Sequence, residues 1–578
     1  MFNDIREVLR EEIVKAVAVL NLNMPADEIL IEHPADLKFG DYSTNVAMAL
    51  AQKTGQNPRD LAAKIAAQIA GQKNENIEKV EAAGAGFINF YLTAGFYTAG
   101  LKKILVEKDN FGQNTLFEDK KVMVEYTDPN PFKLFHIGHL MTNTIGESLA
   151  RLFQVSGADA RRACYQGDVG IHVAKAIWGM SALKDERPAA DSKLAVKVTF
   201  LGQAYAFGTT KAKEDPTAAA EIKILNKKIY ERSDGEINKL YDLGKKWSLE
   251  YFDTVYQRLG TAFDYKFFES ETGKAGRETV DRGLQSGVFE KSDGAVVFKG
   301  EPYGLHTRVF LNSDGLPTYE AKELGLAKIK YGLYPYDLSV VVTGNEINDY
   351  FKVLLQVMNL LFPDLAAKTK HLGHGFLRLP GGKMSSRTGT VITAEEVIDK
   401  AKAIILTKMK ETKKDIANLD ETADQIAIGA IKYSILKQDI GKDIIFDFDK
   451  SLSFVGHSGP YLQYTYARTQ SVLEKAASAG ITFQCQGLTL TLGDTITPVE
   501  KMLYRFPEVV ERAVVEYAPH YIATYLYELA GVFNNYYADH KIVSAESHSS
   551  YRVALTTAVG QVLKNGLNLL GIKTPAKM

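Results

Sequence analysis

The sequence predicts a doubly wound α/β domain between a small N-terminal α/β unit and an all-helical C-terminal region. A short run of β-forming residues, Val122 to Thr127, ends at two prolines. A helical pattern follows, with Ile145, Leu149 and Leu152 at spacings of four and three residues. This strand-to-helix turn is the Rossmann-type element that binds phosphates at a helix N-terminus. After about residue 425 the periodicity is helical only, which predicts a terminal bundle.

Composition sets the broad class of the protein. A chain of 578 residues with 46% hydrophobic and 24% charged residues is typical of a globular protein of about three or four domains. Its net charge of −1 provides no overall attraction for nucleic acid. Two cysteines, Cys164 and Cys485, cannot form a zinc site or a disulfide framework. No apolar run reaches the length of a membrane span and the N-terminus lacks a signal-peptide core, so we expect a cytoplasmic enzyme without a membrane partner.

The order of the patterns predicts three domains. Residues 1–112 form an N-terminal α/β unit, residues 113–424 the doubly wound domain, and residues 425–578 the helical bundle. Within the second, residues 181–290 have long polar helices and little strand signal, which predicts a helical insert. The strands expected in the sheet after the first are Ala160 to Tyr165, Gly294 to Phe298, Thr307 to Leu311 and Leu338 to Thr343.

Two short motifs carry the candidate chemistry. The sequence H-I-G-H places His136, Gly138 and His139 at the strand-to-helix turn, and Gly138 lacks a Cβ, so a nucleotide could lie against the backbone there. Residues 381–389 form a glycine-bounded loop whose cations, including Lys383, lie among hydroxyl groups. Such a loop can close over a triphosphate and stabilise departing pyrophosphate. Either motif alone could be an ordinary surface turn.

Together the two motifs resemble the signature sequences of class I aminoacyl-tRNA synthetases, usually written HIGH and KMSKS. The run E-Y-T-D-P-N-P-F-K-L-F-H-I-G-H resembles the arginyl-tRNA synthetase version, in which a lysine, here Lys133, precedes the motif by three residues. In that family this lysine replaces the second lysine of KMSKS, where this chain has Ser386. The resemblance implies that ATP is bound by His136, Gly138, His139, Lys383, Met384, Ser385 and Ser386.

Segments at both ends of the chain are similar to the same family. The sequences G-D-Y-S-T-N and G-A-G-F-I-N-F resemble the N-terminal domain that contacts the tRNA elbow. The run S-G-P-Y-L-Q-Y-T-Y-A-R resembles the start of the anticodon-binding domain. The resemblance implies a monomer whose partner is tRNA(Arg), bound in part through Asn89, Tyr464 and Arg468. The tyrosines of the bundle could be core residues or platforms on which bases stack, and the core role is favoured for most of them.

Recognition of arginine can be argued from one helix. Tyr319 and Glu323 are four residues apart and share a face. A carboxylate can bind a guanidinium through two parallel hydrogen bonds while a tyrosine flanks it. The family usually has Asp at the position of Glu323, and the extra methylene moves the carboxylate by about an ångström. Glu346 stands where the family commonly has Gln. Without the motifs, Tyr319 and Glu323 would be interpreted as an exposed helix face.

The resemblance also assigns the remaining substrate contacts. Asp128, Asn130 and His139 match positions that hold the α-amino and carboxylate ends of the amino acid, and Glu125 and Pro129 belong to the same stretch. The implied reaction is attack of the arginine carboxylate on the α-phosphate of ATP, with Mg²⁺ carried by the phosphates and no metal site of the protein's own. His136, His139, Lys133 and Lys383 are the implied catalytic residues, and activation is expected to depend on bound tRNA.

Three alternatives remain open at this stage. The chain could be a class I synthetase for another amino acid, for instance glutamate or lysine. It could be a small adenylate-forming nucleotidyltransferase, which leaves the terminal domains without a role. It could also be a non-catalytic RNA-binding paralogue, which the intact His136, His139 and Lys383 disfavour.

Overall fold

The computed structural model describes residues 4–380, 392–411, 416–483, 496–546 and 548–578. The chain forms two compact units, which divide its last helices between them. The first comprises Met1–Phe111, Arg468–Pro507 and Glu528–Leu563, and the second comprises Gly112–Ala467, Glu508–Tyr527 and Lys564–Met578.

The N-terminal residues form a small α/β layer within the first unit. Helix α1 buries one apolar face, formed by Ile5, Leu9, Ile13 and Val17. Three antiparallel strands in the order β1–β3–β2 form the sheet on which the helices pack. The elements are α1 (Ile5–Val19), β1 (Tyr42–Thr44), α2 (Val46–Thr54), α3 (Pro58–Gly71), β2 (Ile77–Ala83), β3 (Phe87–Leu92) and α4 (Ala94–Glu107).

A parallel five-stranded sheet forms the centre of the second unit, as the sequence predicts. Its strand order is β11–β10–β4–β5–β6. Strands β5 and β6 are added on one side of β4, and the later strands β10 and β11 are added on its other side. The strands are β4 (Lys121–Glu125), β5 (Asp159–Gln166), β6 (Tyr265–Phe268), β10 (Leu338–Gly344) and β11 (Thr369–His374), and the helices between the first three are α5 (Ile137–Val155), α6 (Ile171–Ala182), α7 (Leu194–Glu214), α8 (Pro216–Glu231) and α9 (Gly235–Leu259).

Two expectations about the sheet are wrong. The segments 294–298 and 307–311 do not join the main sheet, because they form a separate three-stranded antiparallel sheet, β7–β8–β9. Strand β6 instead joins the main sheet from inside the segment interpreted as a helical insert. The inserted helices α7, α8 and α9 therefore end before β6, and α10 (Glu269–Gln285) follows it. The small sheet consists of β7 (Glu290–Ser292), β8 (Ala295–Phe298) and β9 (Arg308–Leu311).

The rest of the chain is mostly helical, as predicted. No helix that the structure describes is long and apolar enough to cross a bilayer. The remaining elements are α11 (Tyr319–Leu333), α12 (Asn348–Leu361), α13 (Pro363–Ala367), β12 (Leu377–Arg378), α14 (Ala394–Glu411), α15 (Leu419–Leu436), β13 (Ile444–Ile445), α16 (Phe448–Ser451), α17 (Gly459–Ser478), α18 (Pro498–Leu503), α19 (Phe506–Val515), α20 (His520–Asp539) and α21 (Ser549–Leu569).

Helix α5 is buried along almost its whole length in the second unit. Gly146 lets it approach the strand side, since a Cβ there would lie 2.2 Å from Cγ of Tyr126. Its later turns meet the last residues of the chain: Ser148 Oγ donates to the carbonyl of Leu569 at 2.9 Å, and Arg151 donates to the carbonyl of Asn568 at 3.0 Å. One helix thus links the centre of the sheet to the C-terminal segment.

Candidate active site

A cavity of about 640 Å³ opens where the chain reverses direction in the main sheet. It is lined by Glu125 at the end of β4 and by residues 341–344 at the end of β10. In doubly wound sheets the connections leave β4 and β10 towards opposite faces, and the gap between them is the usual ligand site. The volume is suited to a small-molecule substrate or nucleotide.

The turn from β4 to α5 has unusual backbone angles. Thr127, Asp128 and Phe132 have φ of 82°, 46° and 68°. Residues other than glycine rarely adopt such positive φ angles. Each such residue costs about 1–3 kcal/mol, so neighbouring contacts must hold the turn. The backbone N–H of Tyr165 donates to Asp128 Oδ1 at 2.7 Å, and the N–H of Phe132 donates to Ser248 Oγ at 2.9 Å. The turn is therefore fixed on both sides.

The two histidines of the H-I-G-H motif form a reciprocal cap on α5. Nδ1 of His136 accepts from the N–H groups of Gly138 and His139, at 3.1 and 3.4 Å, and the N–H of His136 donates to Nδ1 of His139 at 3.2 Å. Their rings stack with centroids 3.5 Å apart. Because Nδ1 accepts in both rings, each neutral ring carries its proton on Nε2 and can donate it to a ligand.

The histidines are neutral at physiological pH. Burial and then the charge of Lys133 lower the pKa of His136 to about 4. Burial, followed by the charges of His136 and Lys133, lowers the pKa of His139 well below its usual value. Burial and the neighbouring Lys175 also lower the pKa of Lys133, whose Nζ lies 5.5 Å from the ring centroid of Tyr205. We call His136 and His139 the histidine side of the cavity.

Gly138 has a further reason to lack a side chain. A Cβ at this position would lie 2.9 Å from Cε1 of His136. The ring of His136 could then not fold back to cap the helix. The glycine therefore shapes the histidine cap in addition to leaving the backbone open to the cavity, which it lines.

Among the described residues, six carboxylates line the cavity: Glu320 pairs with Arg308, also a lining residue, at 3.6 Å, Glu346 is exposed, and two of the remaining four are paired with buried lysines. Lys330 Nζ donates to Glu125 Oε2 at 2.7 Å, and Lys322 Nζ donates to Glu269 Oε2 at 2.7 Å. All four side chains of these pairs are buried. Removing one member of such a pair leaves an uncompensated buried charge, which is costly.

The other two carboxylates, Glu323 and Asp128, form no ion pair with any residue that the structure describes. Burial and then the negative charge of Glu125 raise the pKa of both well above the usual range. The free cavity therefore tends to keep protons on these groups, and a cation entering it would favour their ionised forms. We call Glu125, Asp128, Glu269 and Glu323 the carboxylate side.

Aromatic side chains complete the carboxylate side. Tyr165, Tyr319 and Tyr350 all line the cavity, although 58% of Tyr319 is exposed. Glu323 faces the cavity, so the interpretation of its helix face as simply exposed is wrong. Glu346 is exposed near the end of β10 and also borders the cavity.

Most of the residues chosen from the sequence meet in this one cavity. Pro129 and Lys133 are not among its lining residues, and Lys383, Met384, Ser385 and Ser386 lie outside the described residues. Those that line it are Glu125, Asp128, Asn130, His136, Gly138, His139, Tyr319, Glu323 and Glu346.

The residues predicted to contact tRNA have different environments. Asn89 is 4% exposed and its Oδ1 accepts from the hydroxyl of Ser43 at 2.8 Å, so it stabilises the N-terminal sheet, and its contact with tRNA stays a prediction. Arg468 is half-buried, donates to Asn534, and lies 5.1 Å from the ring centroid of Tyr537. Tyr464 is half-buried.

The residues that complete the carboxylate side were not predicted from the sequence. Glu269 follows β6, a strand of only four residues hidden in the supposed insert, so it was not placed at the end of a sheet strand. Lys330 is seven residues beyond Glu323 on α11, a spacing that puts both on one face and could have been noticed. No sequence pattern indicated that Tyr165 or Lys322 belongs to the site.

Comparison with known proteins adds to this geometry. The family model described as tRNA synthetases class I (R), catalytic domain, matches residues 100–448. The chain belongs to the class I arginyl-tRNA synthetase family. This family member is therefore an aminoacyl-tRNA ligase. Its ends match the arginyl tRNA synthetase N terminal domain over residues 3–92 and the DALR anticodon binding domain over residues 462–578.

Relatives of this synthetase cover its whole length. An arginine–tRNA ligase of Treponema denticola is 33% identical over 94% of both chains, and one of Clostridium kluyveri is 31% identical over 100% of both. The solved arginyl-tRNA synthetase of Thermus thermophilus has the same fold, with a TM-score of 0.78 at 23% identity over 100% of both chains. That of Plasmodium falciparum matches with a TM-score of 0.78 at 21% identity over 99% of both.

Proposed function

We propose that this chain is an arginine–tRNA ligase that performs amino-acid activation in the cavity at the reversal of its main sheet. The observation that carries the proposal is the negative charge of the cavity, which the described residues line with six carboxylates and with one cation, Arg308, while two lysines behind the lining pair with Glu125 and Glu269. Arginine brings two cationic groups, its guanidinium and its α-ammonium. A free arginine molecule therefore supplies the positive charge that the protein lacks there.

The guanidinium is bound by Glu323. This carboxylate lines the cavity without an ion pair among the described residues, and it can accept two parallel hydrogen bonds from a planar guanidinium. Tyr319 and Tyr350 line the same region and can flank the cationic plane. Glu269 provides a second carboxylate for the same group. Glu346 stands at the rim and attracts the cation as it enters.

The α-ammonium is bound at the strained turn. Asp128 and Asn130 line the cavity beside the N-terminus of α5, and Asp128 has one backbone bond but no cation. This position leaves the amino-acid carboxylate directed towards the histidine side. Glu125, at the end of β4, adds a second negative charge that attracts the ammonium, although it disfavours ionisation of Asp128 while the cavity is free. Pro129 fixes the backbone between Asp128 and Asn130.

ATP is bound at the N-terminus of α5. His136 and His139 present Nε2–H donors, and a helix N-terminus favours phosphate. Neutral donors can hold phosphate oxygens without exchanging protons near neutral pH. Mg²⁺ arrives with the nucleotide, held mainly by phosphate oxygens. Lys133 and Lys383 neutralise the leaving pyrophosphate, and Met384, Ser385 and Ser386 belong to the same ATP site.

The reaction consists of two displacements. An arginine carboxylate oxygen attacks the α-phosphorus of ATP, and the bond to the bridging oxygen breaks to release pyrophosphate and leave arginyl-adenylate. A hydroxyl of the 3′-terminal ribose of tRNA(Arg) then attacks the activated carbonyl, and AMP leaves. The chain's own residues hold both reactants and stabilise the developing charge.

Several further properties belong to the same proposal. The tRNA is bound by the N-terminal domain, residues 1–112, and by the helical domain, residues 425–578, the latter through Tyr464 and Arg468. The catalytic domain comprises residues 113–424, and the protein acts as a cytoplasmic monomer. Arginine activation depends on bound tRNA.

The test is charging of tRNA(Arg) with each of the twenty amino acids by the purified protein. Arginine should be the one amino acid attached at a useful rate. Preference for glutamate or lysine would identify a synthetase of another specificity, and the excess of carboxylates argues against glutamate. Pyrophosphate exchange without any transfer to tRNA would favour the adenylate-forming nucleotidyltransferase instead.

A further inference from the structure

The inserted helices reach the carboxylate side of the cavity through one lysine. Tyr230 lies in the last turn of α8, and its hydroxyl accepts a hydrogen bond from Lys322 Nζ at 2.9 Å. The same ammonium donates to Glu269 Oε2 at 2.7 Å. Lys322 is 4% exposed and Glu269 is 5% exposed. Helix α8 of the insert therefore contacts, through Tyr230, the lysine that is bonded to Glu269, a residue that lines the cavity.

A second contact from the insert fixes the start of helix α10. Asp168 is fully buried and accepts from the hydroxyl of Tyr241 at 2.6 Å and from Lys245 Nζ at 2.7 Å, both on α9. Asp168 Oδ1 also accepts from the backbone N–H of Ser270 at 2.9 Å. Because Ser270 follows Glu269, this cluster holds the backbone from which the Glu269 side chain projects.

The remaining space around Glu269 is tightly fitted. A Cβ added at Gly167 would lie 3.0 Å from Glu269 Oε1 and 2.3 Å from Asn130 Oδ1. One oxygen of Glu269 is therefore bound to Lys322 while the other lies beside Gly167 and Asn130, which line the cavity. This arrangement leaves Oε1 as the oxygen available to a substrate.

We propose that Lys322 and Tyr230 are positioning residues and that the helical insert sets the orientation and ionisation of Glu269 through them. The inference rests on the proposed function, since it assumes that Glu269 meets the cationic end of arginine. It assigns to the insert a role in amino-acid specificity.

The physical reason is the cost of a buried charge. Burial raises the pKa of Glu269, and the charge of Lys322 opposes that rise. Although burial alone would lower the pKa of Lys322, the charge of Glu269 and the hydroxyl of Tyr230 raise it above its usual value. Loss of the ammonium would raise the pKa of Glu269 further and favour its protonated form, which is a poor partner for a guanidinium.

The test uses two graded variants in the full-length protein with tRNA(Arg) present. Lys322→Met should raise the KM for arginine about tenfold or more at pH 7, because a charge-assisted bond and a counter-charge are lost. The ratio of the variant's KM to the wild-type KM at the same pH should fall as the pH is raised, since Glu269 then ionises without Lys322. Tyr230→Phe removes only the hydroxyl and should raise the KM about two- to fivefold. The KM for ATP should stay within about twofold in both.

Matched controls separate this role from general damage. Lys228→Met removes a lysine of α8, the helix of Tyr230; this lysine pairs with Asp234 at 2.8 Å and does not line the cavity. Tyr334→Phe removes a hydroxyl that donates to the carbonyl of Asp159 at 2.6 Å. Both controls should keep the wild-type arginine KM at every pH. Lys322→Arg keeps the charge and should recover much of the lost affinity.

The outcomes are distinguishable. An unchanged arginine KM in Tyr230→Phe and Lys322→Met would overturn the inference while leaving arginine activation intact. Equal rises in the KM for arginine and ATP, without pH dependence, would also overturn it, because they indicate a structural defect. If Lys322→Met does not fold, Tyr230→Phe decides alone. Wild-type protein that does not use arginine would refute the proposed function, and the inference with it.

Discussion

The histidine side and the carboxylate side of the cavity differ in how far their polar groups are satisfied within the protein. On the histidine side, both Nδ1 atoms are occupied by the reciprocal cap and the rings are neutral. On the carboxylate side, Asp128 and Glu323 form no ion pair among the described residues, and burial and the charge of Glu125 raise their pKa values despite the opposing charge of Lys330. The difference indicates that one side is preorganised for a ligand that accepts hydrogen bonds, while the other is completed only by a cationic ligand.

The largest expected effect is on the carboxylate side. Glu323→Gln should lower kcat/KM for arginine about 10²–10³-fold, because the bound guanidinium loses its counter-charge. Steady-state pyrophosphate exchange with tRNA(Arg) present measures it, and the KM for ATP serves as the internal control. Wild-type arginine kinetics in this variant would remove Glu323 from the pocket.

An effect of somewhat smaller size is expected on the histidine side. His139→Ala should lower the rate of adenylate formation about 10²-fold, since one preorganised donor is lost. Because burial and Lys133 lower the pKa of His136 to about 4, the wild-type rate should show no titration of His136 between pH 5.5 and 8. A rate governed by a group of pKa near 6.5 that disappears in His136→Asn would contradict the neutral cap.

A third prediction concerns the release of protons from the cavity when arginine binds. The raised pKa values of Glu323 and Asp128 mean that the free cavity retains protons, and arginine binding should release them. The KM for arginine should therefore fall as the pH rises towards those pKa values. Calorimetric titration in two buffers of different ionisation enthalpy measures the release. Binding heats that do not depend on the buffer would show that the carboxylates are already ionised.

The smallest effect is on stability. A carboxyl whose folded pKa lies above its unfolded value costs free energy of folding once the pH exceeds the unfolded value, near 4.5 for Glu323. Glu323→Gln should remove this cost and stabilise the unliganded protein by about 1 kcal/mol at pH 8, with little gain at pH 4. Thermal unfolding at both pH values measures the difference. Equal shifts at the two pH values would point to packing instead of charge.

The histidine side could be predicted from the sequence more completely than the carboxylate side. A strand, two prolines, and H-I-G-H are adjacent in the chain, so local rules place His136 and His139 at a helix N-terminus. The carboxylate side combines Glu125, Glu269 and Glu323, which belong to three distant segments. Local periodicity identifies Glu323 on its helix, but no local pattern identifies Glu269.

Two strands, β8 and β9, were wrongly predicted to join the main sheet for a related reason. Strand β6 has four residues and no alternation that distinguishes it from a loop, yet pairing with β5 makes it part of the main sheet. Strands β8 and β9 have clear β-forming residues, which indicate a strand without indicating its partner. The sheet to which a strand belongs depends on the strands with which it pairs, and the pattern of a single sequence does not reveal those partners. The reciprocal histidine cap could not be predicted from the sequence either, since it depends on the orientation of the two rings.

The bonds between helix α5 and the C-terminal segment have a consequence for synthesis. Ser148 and Leu569 are 421 residues apart, and Arg151 and Asn568 are 417 apart. The ribosome therefore produces the helix that bears the histidine cap long before the residues that cover its far turns. Contacts between such distant segments form late in folding. Nascent chains must keep this helix partly uncovered until residue 569 emerges, which makes them candidates for chaperone binding during translation.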